Sequence, residues 1–140
     1  MSVESFIDTN VFVYQLERLN VRKATTAERL IEQGIASGTA CISFQVVQEC
    51  LNAVLRKAQT PLSVDEMRKY LQSVLALLYR VQPSLRLYHA ALDIQTRYRF
   101  SFYDSLIVAA ALEAGCTRIY SEDLQHGQQI ERLTIENPFL

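Results

Sequence analysis

"SVESFIDTNVFVYQL", residues 2–16, is the stretch whose reading decides the fold. Its apolar pair Phe6-Ile7 runs directly into Asp8, and an apolar run resumes after Asn10. "VESFID" reads as a short β-strand, the chain turns after Asp8, and Thr9 can cap a helix that reaches about Arg18. A carboxylate at that junction has two readings: it caps the helix, or it forms the first corner of a charged site. Taken alone, Asp8 leaves the two evenly matched.

Outward from this unit, strand and helix alternate. A helix covers Val21 to Ala36, with Ala24, Ala27, Leu30 and Ile31 at helical spacing and Gly38 as its stop. "TACIS", residues 39–43, is a second strand. It leads into a helix from Phe44 to about Ala58, on which Phe44, Val47, Leu51, Val54, Leu55 and Ala58 share one face, and Pro61 closes the segment. Ser63 and Glu66 form a capping box for a helix with Val64, Met67, Leu71, Val74, Leu75 and Leu78 at helical spacing. "YRVQ", residues 79–82, is a third strand, ended by Pro83. Residues 84–99 predict a helix with Leu85, Tyr88, Ala91 and Leu92 inward. "SFYDSLIVAAALEAG", residues 101–115, is apolar nearly all round and predicts a central helix. "RIYS", residues 118–121, and "RLTI", residues 132–135, complete the strands. The alternation predicts an α/β chain: a three-layer α/β/α domain around a mostly parallel sheet of four to five short strands, with right-handed crossovers. In such folds, sites form beyond the carboxyl ends of the strands.

The bulk numbers agree with one globular domain over residues 1–140: 49% of residues are hydrophobic and 21% charged. No apolar run reaches the ~18 residues that a membrane span needs, and Glu4 and Asp8 argue against a signal peptide. Cys41, Cys50 and Cys116 form no C-x-x-C pair, which points to free thiols in a reducing cytoplasm rather than a zinc ribbon. His89 and His126 are too few for a zinc site. The formal net charge is −1, so acids gathered into one site leave a mildly basic exterior suited to a polyanion. Arg18, Arg22, Lys23, Arg97 and Arg99 are candidate phosphate contacts.

The acids fall in a pattern. Asp8 ends the first strand, and Asp123 follows "RIY" by three residues, so both lie at the carboxyl edge of the sheet. Glu49 follows Ser43 by six residues, on the second turn of the next helix, and Asp104 lies in the first turn of the apolar helix. Two bare carboxylates ~4 Å apart repel by about 4 kcal/mol at an effective dielectric of ~20. Convergence therefore requires protons or a cation. Oxygen donors without a His or Cys cluster favour Mg²⁺ or Mn²⁺. Each acid also has a local reading. Ser101-x-x-Asp104 fits a capping box, Glu49 falls opposite the Phe44/Leu51 face and reads as solvated, and Asp123 can start a turn with Ser121.

Four segments decide between these readings. "FIDTNVFVY", "ISFQVVQEC", "FSFYDSLIVAAALEAGC" and "IYSEDLQHGQ", in this order and spacing, resemble the PIN-domain ribonuclease family, and in particular the toxin ribonucleases of bacterial toxin–antitoxin pairs. The resemblance covers nearly the whole chain. It implies an Mg²⁺-dependent (or Mn²⁺-dependent) endoribonuclease whose catalytic and metal-site acids are Asp8, Glu49, Asp104 and Asp123. Asn10 and Ser121 match positions that orient ligands or water, with Ser121 where Thr is more usual. The resemblance further implies an RNA substrate, products with 5′-phosphate and 3′-hydroxyl ends, a homodimer, an antitoxin protein covering the acidic groove, and a cytoplasmic location. The helices over 63–78 and 21–36 are candidate partner faces.

Three other readings compete. The first is a PIN-like module that binds RNA or protein without cutting. The second is a phosphotransferase or receiver-type domain. Asn10 stands where a haloacid-dehalogenase-like enzyme needs Asp, and no Lys lies within residues 117–121 as a receiver requires. The third is a structure-specific DNA nuclease.

Overall fold

The computed structural model describes residues 2–57 and 62–140. Ala58 and Pro61, read above as the end of the third helix, lie outside the described residues. The chain folds as β1 (Ser5–Ile7), α1 (Thr9–Glu17), α2 (Val21–Ser37), β2 (Ala40–Ser43) and α3 (Phe44–Asn52), then α4 (Val64–Tyr70), α5 (Ala76–Leu78), β3 (Tyr79–Val81), α6 (Leu85–Tyr98), α7 (Phe102–Glu113), β4 (Arg118–Tyr120), β5 (Gln129–Ile130) and β6 (Leu133–Glu136). Wider π-type turns extend α3 over Ala53–Lys57 and join α4 to α5 over Leu71–Leu75.

The strand order is β3-β2-β1-β4-β6-β5. Every neighbouring pair is parallel except β5 with β6. Phe6 and Ile7 of β1 point to opposite faces of the sheet, and both are fully buried, so helices cover it on both sides. Among the described residues the sheet has six strands rather than four to five. The extra strand, β5, is two residues long and returns antiparallel onto β6 through Glu131-Arg132, with Glu131 in the left-handed region at φ 54°. A two-residue strand is too short to show alternation, so it left no pattern to read.

Helix α7 is central, as its composition predicts: every residue from Ser105 to Ala111 is buried. Two other helix faces differ from the pattern reading. On α6 the buried stripe is Leu87, Ala91 and Ile94, while Leu85 is 79% and Leu92 50% exposed. On α3 and its extension the buried stripe is Val46, Cys50 and Val54, while Phe44, Val47 and Leu51 are only half-buried. Both helices carry apolar residues on two sides, and periodicity alone cannot say which side meets the sheet. On α3 the second side is used as well: Phe44 and Val47 line an apolar hollow with Leu71, Leu75 and Tyr79. Val64 is exposed, because the helix it begins turns inward only at Met67.

Helix α2 lies close on β2 because residue 34 is glycine. A Cβ there would sit 2.7 Å from the Ala40 Cβ, which is fixed to the strand backbone. Gly34→Ala is expected to cost about 1–3 kcal/mol by forcing α2 off the sheet. A denaturant titration measures this, and unchanged stability would contradict the close approach.

Candidate active site: an acidic cleft at the carboxyl edge of the sheet

Asp8 is the first residue past β1, and its backbone is still tied to the sheet through its N–H, which donates to the Tyr120 carbonyl at 2.9 Å. The two readings of Asp8 are compatible. Its Oδ1 caps α1, accepting from the Thr9 N–H at 2.7 Å, and the residue also lines a cleft of about 480 Å³. Its Oδ2 accepts from Ser121 Oγ at 2.8 Å. Burial pushes the Asp8 carboxyl up to about 7. Ser121 and Thr9 pull it down, while the negative charges of Asp123 and Glu49 add to the upward push.

Ser121 lies behind Asp8, fully buried, and organises the turn after β4. Its Oγ accepts from the N–H groups of Asp123 and Leu124 at 3.2 and 3.3 Å while it donates to Asp8. A hydroxyl suits this place because it donates and accepts at once. Ser121→Ala removes all three bonds. It is expected to destabilise the protein by about 1–3 kcal/mol, the cost of leaving buried polar groups unpaired. It should also move the Asp8 titration further upward, which NMR titration of the carboxyl carbon would follow. An unmoved titration would contradict the Ser121–Asp8 contact.

Asn10, on the first turn of α1, bridges to the same turn. Its Nδ2 donates to Asp123 Oδ2 at 3.1 Å, and its Oδ1 accepts from the Glu122 N–H at 3.4 Å. The neighbouring acids then diverge. Glu122 pairs with Lys23 Nζ at 2.5 Å and also accepts from Tyr14 Oη. Burial acts to raise the Glu122 carboxyl, but the bonds from Lys23 and Tyr14 outweigh it and hold it below its usual range. Asp123 has no such cation among the described residues. Lys23, a candidate phosphate contact, is thus neutralised by Glu122.

Glu49 reaches the cleft from α3. Its Oε1 accepts from Thr9 Oγ1 at 2.9 Å, and its Oε2 accepts from Gln45 Nε2 at 3.3 Å. Because the buried stripe of α3 runs through Val46 and Cys50, the polar side bearing Glu49 overlooks the cleft, and Glu49 is solvent-exposed there, as its pattern predicts. Asp104 reaches the same cleft from the first turn of α7. There only half of the expected capping box is made: Ser101 Oγ accepts from the Asp104 N–H at 3.1 Å. Among the described residues nothing bonds the Asp104 carboxylate. The cleft therefore brings together Asp8, Asn10, Glu49, Asp104 and Asp123, with Ser121 as the support beneath Asp8.

Pattern reading missed Thr9 and Gln45, which fix Glu49, and the pairing of Lys23 and Tyr14 with Glu122. Gln45 stands one turn before Glu49, a spacing at which side chains meet, so that contact was legible in principle. The bonds from Thr9 and Lys23 join distant segments and leave no local signal. Arg18 and Arg97 pair with Glu28 and Glu131, and His126 Nδ1 accepts from the Asn137 N–H.

Among the described residues, no three acids, histidines or cysteines are grouped so as to grip an ion directly. The donor set nevertheless suits a hydrated hard cation. Mg²⁺ binds through one or two carboxylates and keeps several waters. Among the described residues no cation pairs with the Asp8 carboxyl, which is buried and lifted to about 7.

The fold and cleft define a class: an α/β domain with carboxylates from separate elements gathered at the carboxyl edge of a parallel sheet. The family model described as PIN domain matches residues 5–129, and the chain belongs to the PIN-domain family. Solved structures agree on the fold. The chain is similar to VapBC2 from Rickettsia felis, solved bound to a DNA fragment from its promoter, with TM-score 0.70, 17% identity, and 96% of this chain and 98% of that one covered. It is similar to a toxin–antitoxin complex from Klebsiella pneumoniae, with TM-score 0.66, 14% identity, and 96% and 98% covered. It is also similar to Mycobacterium tuberculosis VapC20, a sarcin–ricin loop cleaving toxin, with TM-score 0.62, 19% identity, and 86% and 90% covered. A comparison with curated protein sequences finds no match.

Proposed function

We propose that this chain is a divalent-metal-dependent endoribonuclease, the toxin of a toxin–antitoxin pair. The observation that carries the reading is the cleft itself: the buried Asp8 carboxyl lines it together with Glu49, Asp104 and Asp123, each brought from a different segment. These four acids would hold Mg²⁺ or Mn²⁺. Such an ion, when bound, lowers the pKa of water and stabilises charge on phosphoryl oxygens. The chain's own residues orient the acids. Ser121 and Thr9 fix the two Asp8 oxygens, Asn10 fixes Asp123, and Thr9 Oγ1 fixes Glu49. A carboxylate oxygen left free accepts the proton of the attacking water. RNA as substrate, products with 5′-phosphate and 3′-hydroxyl ends, a cytoplasmic setting, a homodimer and an antitoxin partner complete the proposal. The likeness to a toxin–antitoxin complex and to a sarcin–ricin loop cleaving toxin supports the partner and the chemistry.

One observation favours a second reading. The acids form no ready-made direct-ligand group among the described residues, as suits a PIN-type module that binds RNA without cutting. Incubation of single-stranded RNA and a flapped DNA with the protein, in Mg²⁺ and in excess chelator, separates the possibilities. The proposal expects RNA cleavage that chelator stops. Cleavage of the DNA flap alone would favour a DNA nuclease, and intact RNA with bound protein would favour the module.

A further inference from the structure

Gln45 is 4% exposed, lies in the first turn of α3 and lines the acidic cleft. Its Nε2 donates to Glu49 Oε2 at 3.3 Å and to the Tyr103 carbonyl at 3.1 Å. Both partners are acceptors, so the amide cannot be turned over: its oxygen would then face two oxygens. The orientation that remains leaves Gln45 Oε1 buried and without a partner among the described residues. Ser43 Oγ, on the last residue of β2 at the N-cap position of the same helix, is likewise buried and without a partner among the described residues, and makes no capping bond. Buried unpaired polar atoms are rare and costly, so the two bonds made by Nε2 outweigh the oxygen left unpaired.

The bonded side of the amide matters as much. Tyr103 immediately precedes Asp104, and Gln45 reaches it across 58 positions of sequence. One side chain therefore ties the Glu49 carboxylate to the backbone that carries Asp104. We propose that Gln45 is a positioning residue for the acidic cleft: its N–H groups hold the Glu49 carboxylate against the first turn of α7, so that Glu49 and Asp104 would meet one divalent cation together. This inference rests on the metal-dependent reading above.

Calorimetry with Mn²⁺ on the full chain without RNA tests it. Gln45→Met keeps the length and apolar body of the side chain and removes the amide. The expected result is Mn²⁺ affinity weakened at least tenfold, the scale at which residues that orient metal ligands act. In the cleavage assay kcat should fall while KM for RNA stays unchanged. In ¹⁵N-labelled wild-type protein, the Gln45 side-chain amide protons should exchange slowly and shift when Mg²⁺ is added. This spectroscopic readout needs no variant. Wild-type affinity in Gln45→Met, or amide protons unmoved by Mg²⁺ in a wild-type protein that binds the ion, overturns the inference alone. A wild-type protein that takes up no divalent ion overturns both this inference and the reading it rests on.

Discussion

Asp8→Asn is expected to make the metal-free protein more stable at pH 8 while abolishing cleavage. The sign follows from linkage. The Asp8 carboxyl titrates near 7 in the folded chain, against an ordinary value of 3.8. Between those values the native state holds a proton that the unfolded state has released, so stability falls as pH rises through the window and levels off above it. A displacement of that size corresponds to on the order of 4 kcal/mol. Asn carries no charge and escapes that cost. It gives part of the gain back, because its NH₂ cannot accept from Ser121 or Thr9, and each such bond is worth about 1 kcal/mol. The net expectation is a gain of about 1–3 kcal/mol at pH 8 that shrinks as pH falls through the window and becomes a loss of about 1 kcal/mol near pH 4, where only the missing bond remains. Saturating Mg²⁺ should reverse the order, because ligand at a hundred times its Kd adds about 2.7 kcal/mol to a state that binds it. Cleavage should fall on the order of a thousandfold, the upper range for losing one electrostatic group at a reacting centre. Paired melts at pH 4 and pH 8, with and without Mg²⁺, read the stability changes, and initial rates read the cleavage. A variant less stable than wild type at pH 8 without metal would show that the buried charge is already compensated.

Asp104→Asn separates a cap from a site. In the structure the cap of α7 is the Ser101 hydroxyl, which takes the Asp104 N–H, and the Asp104 carboxylate makes no return bond. The substitution should therefore leave stability within about 0.5 kcal/mol, as for a side chain outside any packed or bonded feature. Ser101→Ala should cost about 1 kcal/mol, the usual worth of such a cap. Activity should move the other way: on the order of a hundredfold loss for Asp104→Asn and little for Ser101→Ala. Denaturant melts beside initial cleavage rates compare the pair. Asp104→Asn with full activity would return the residue to a structural role.

The features legible in the sequence are those in which one residue does local work. The strand that ends in Asp8 shows itself because Phe6 and Ile7 are both apolar and the next residues break the run. The central place of α7 shows because small and apolar residues surround it. What stays hidden depends on choices between two plausible faces. Glu49 looks solvated when Phe44 and Leu51 are taken as the core side of α3, and looks cleft-facing once Val46 and Cys50 are seen to take that role. Leu85 and Leu92 mislead on α6 in the same way. Contacts across 113 positions, such as Asn10 to Asp123 and Ser121 to Asp8, have no local trace at all. Among the acids, the resemblance of four ordered segments supplied what periodicity could not.

The central claim is that Asp8, Glu49, Asp104 and Asp123 serve one divalent ion. Anomalous diffraction from a crystal soaked in Mn²⁺ measures it most directly. The expected result is a peak in the cleft beside the Asp8 carboxylate, within direct or one-water reach of the other acids. A peak elsewhere on the molecule, or a cleft that stays empty in saturating Mn²⁺, would contradict it.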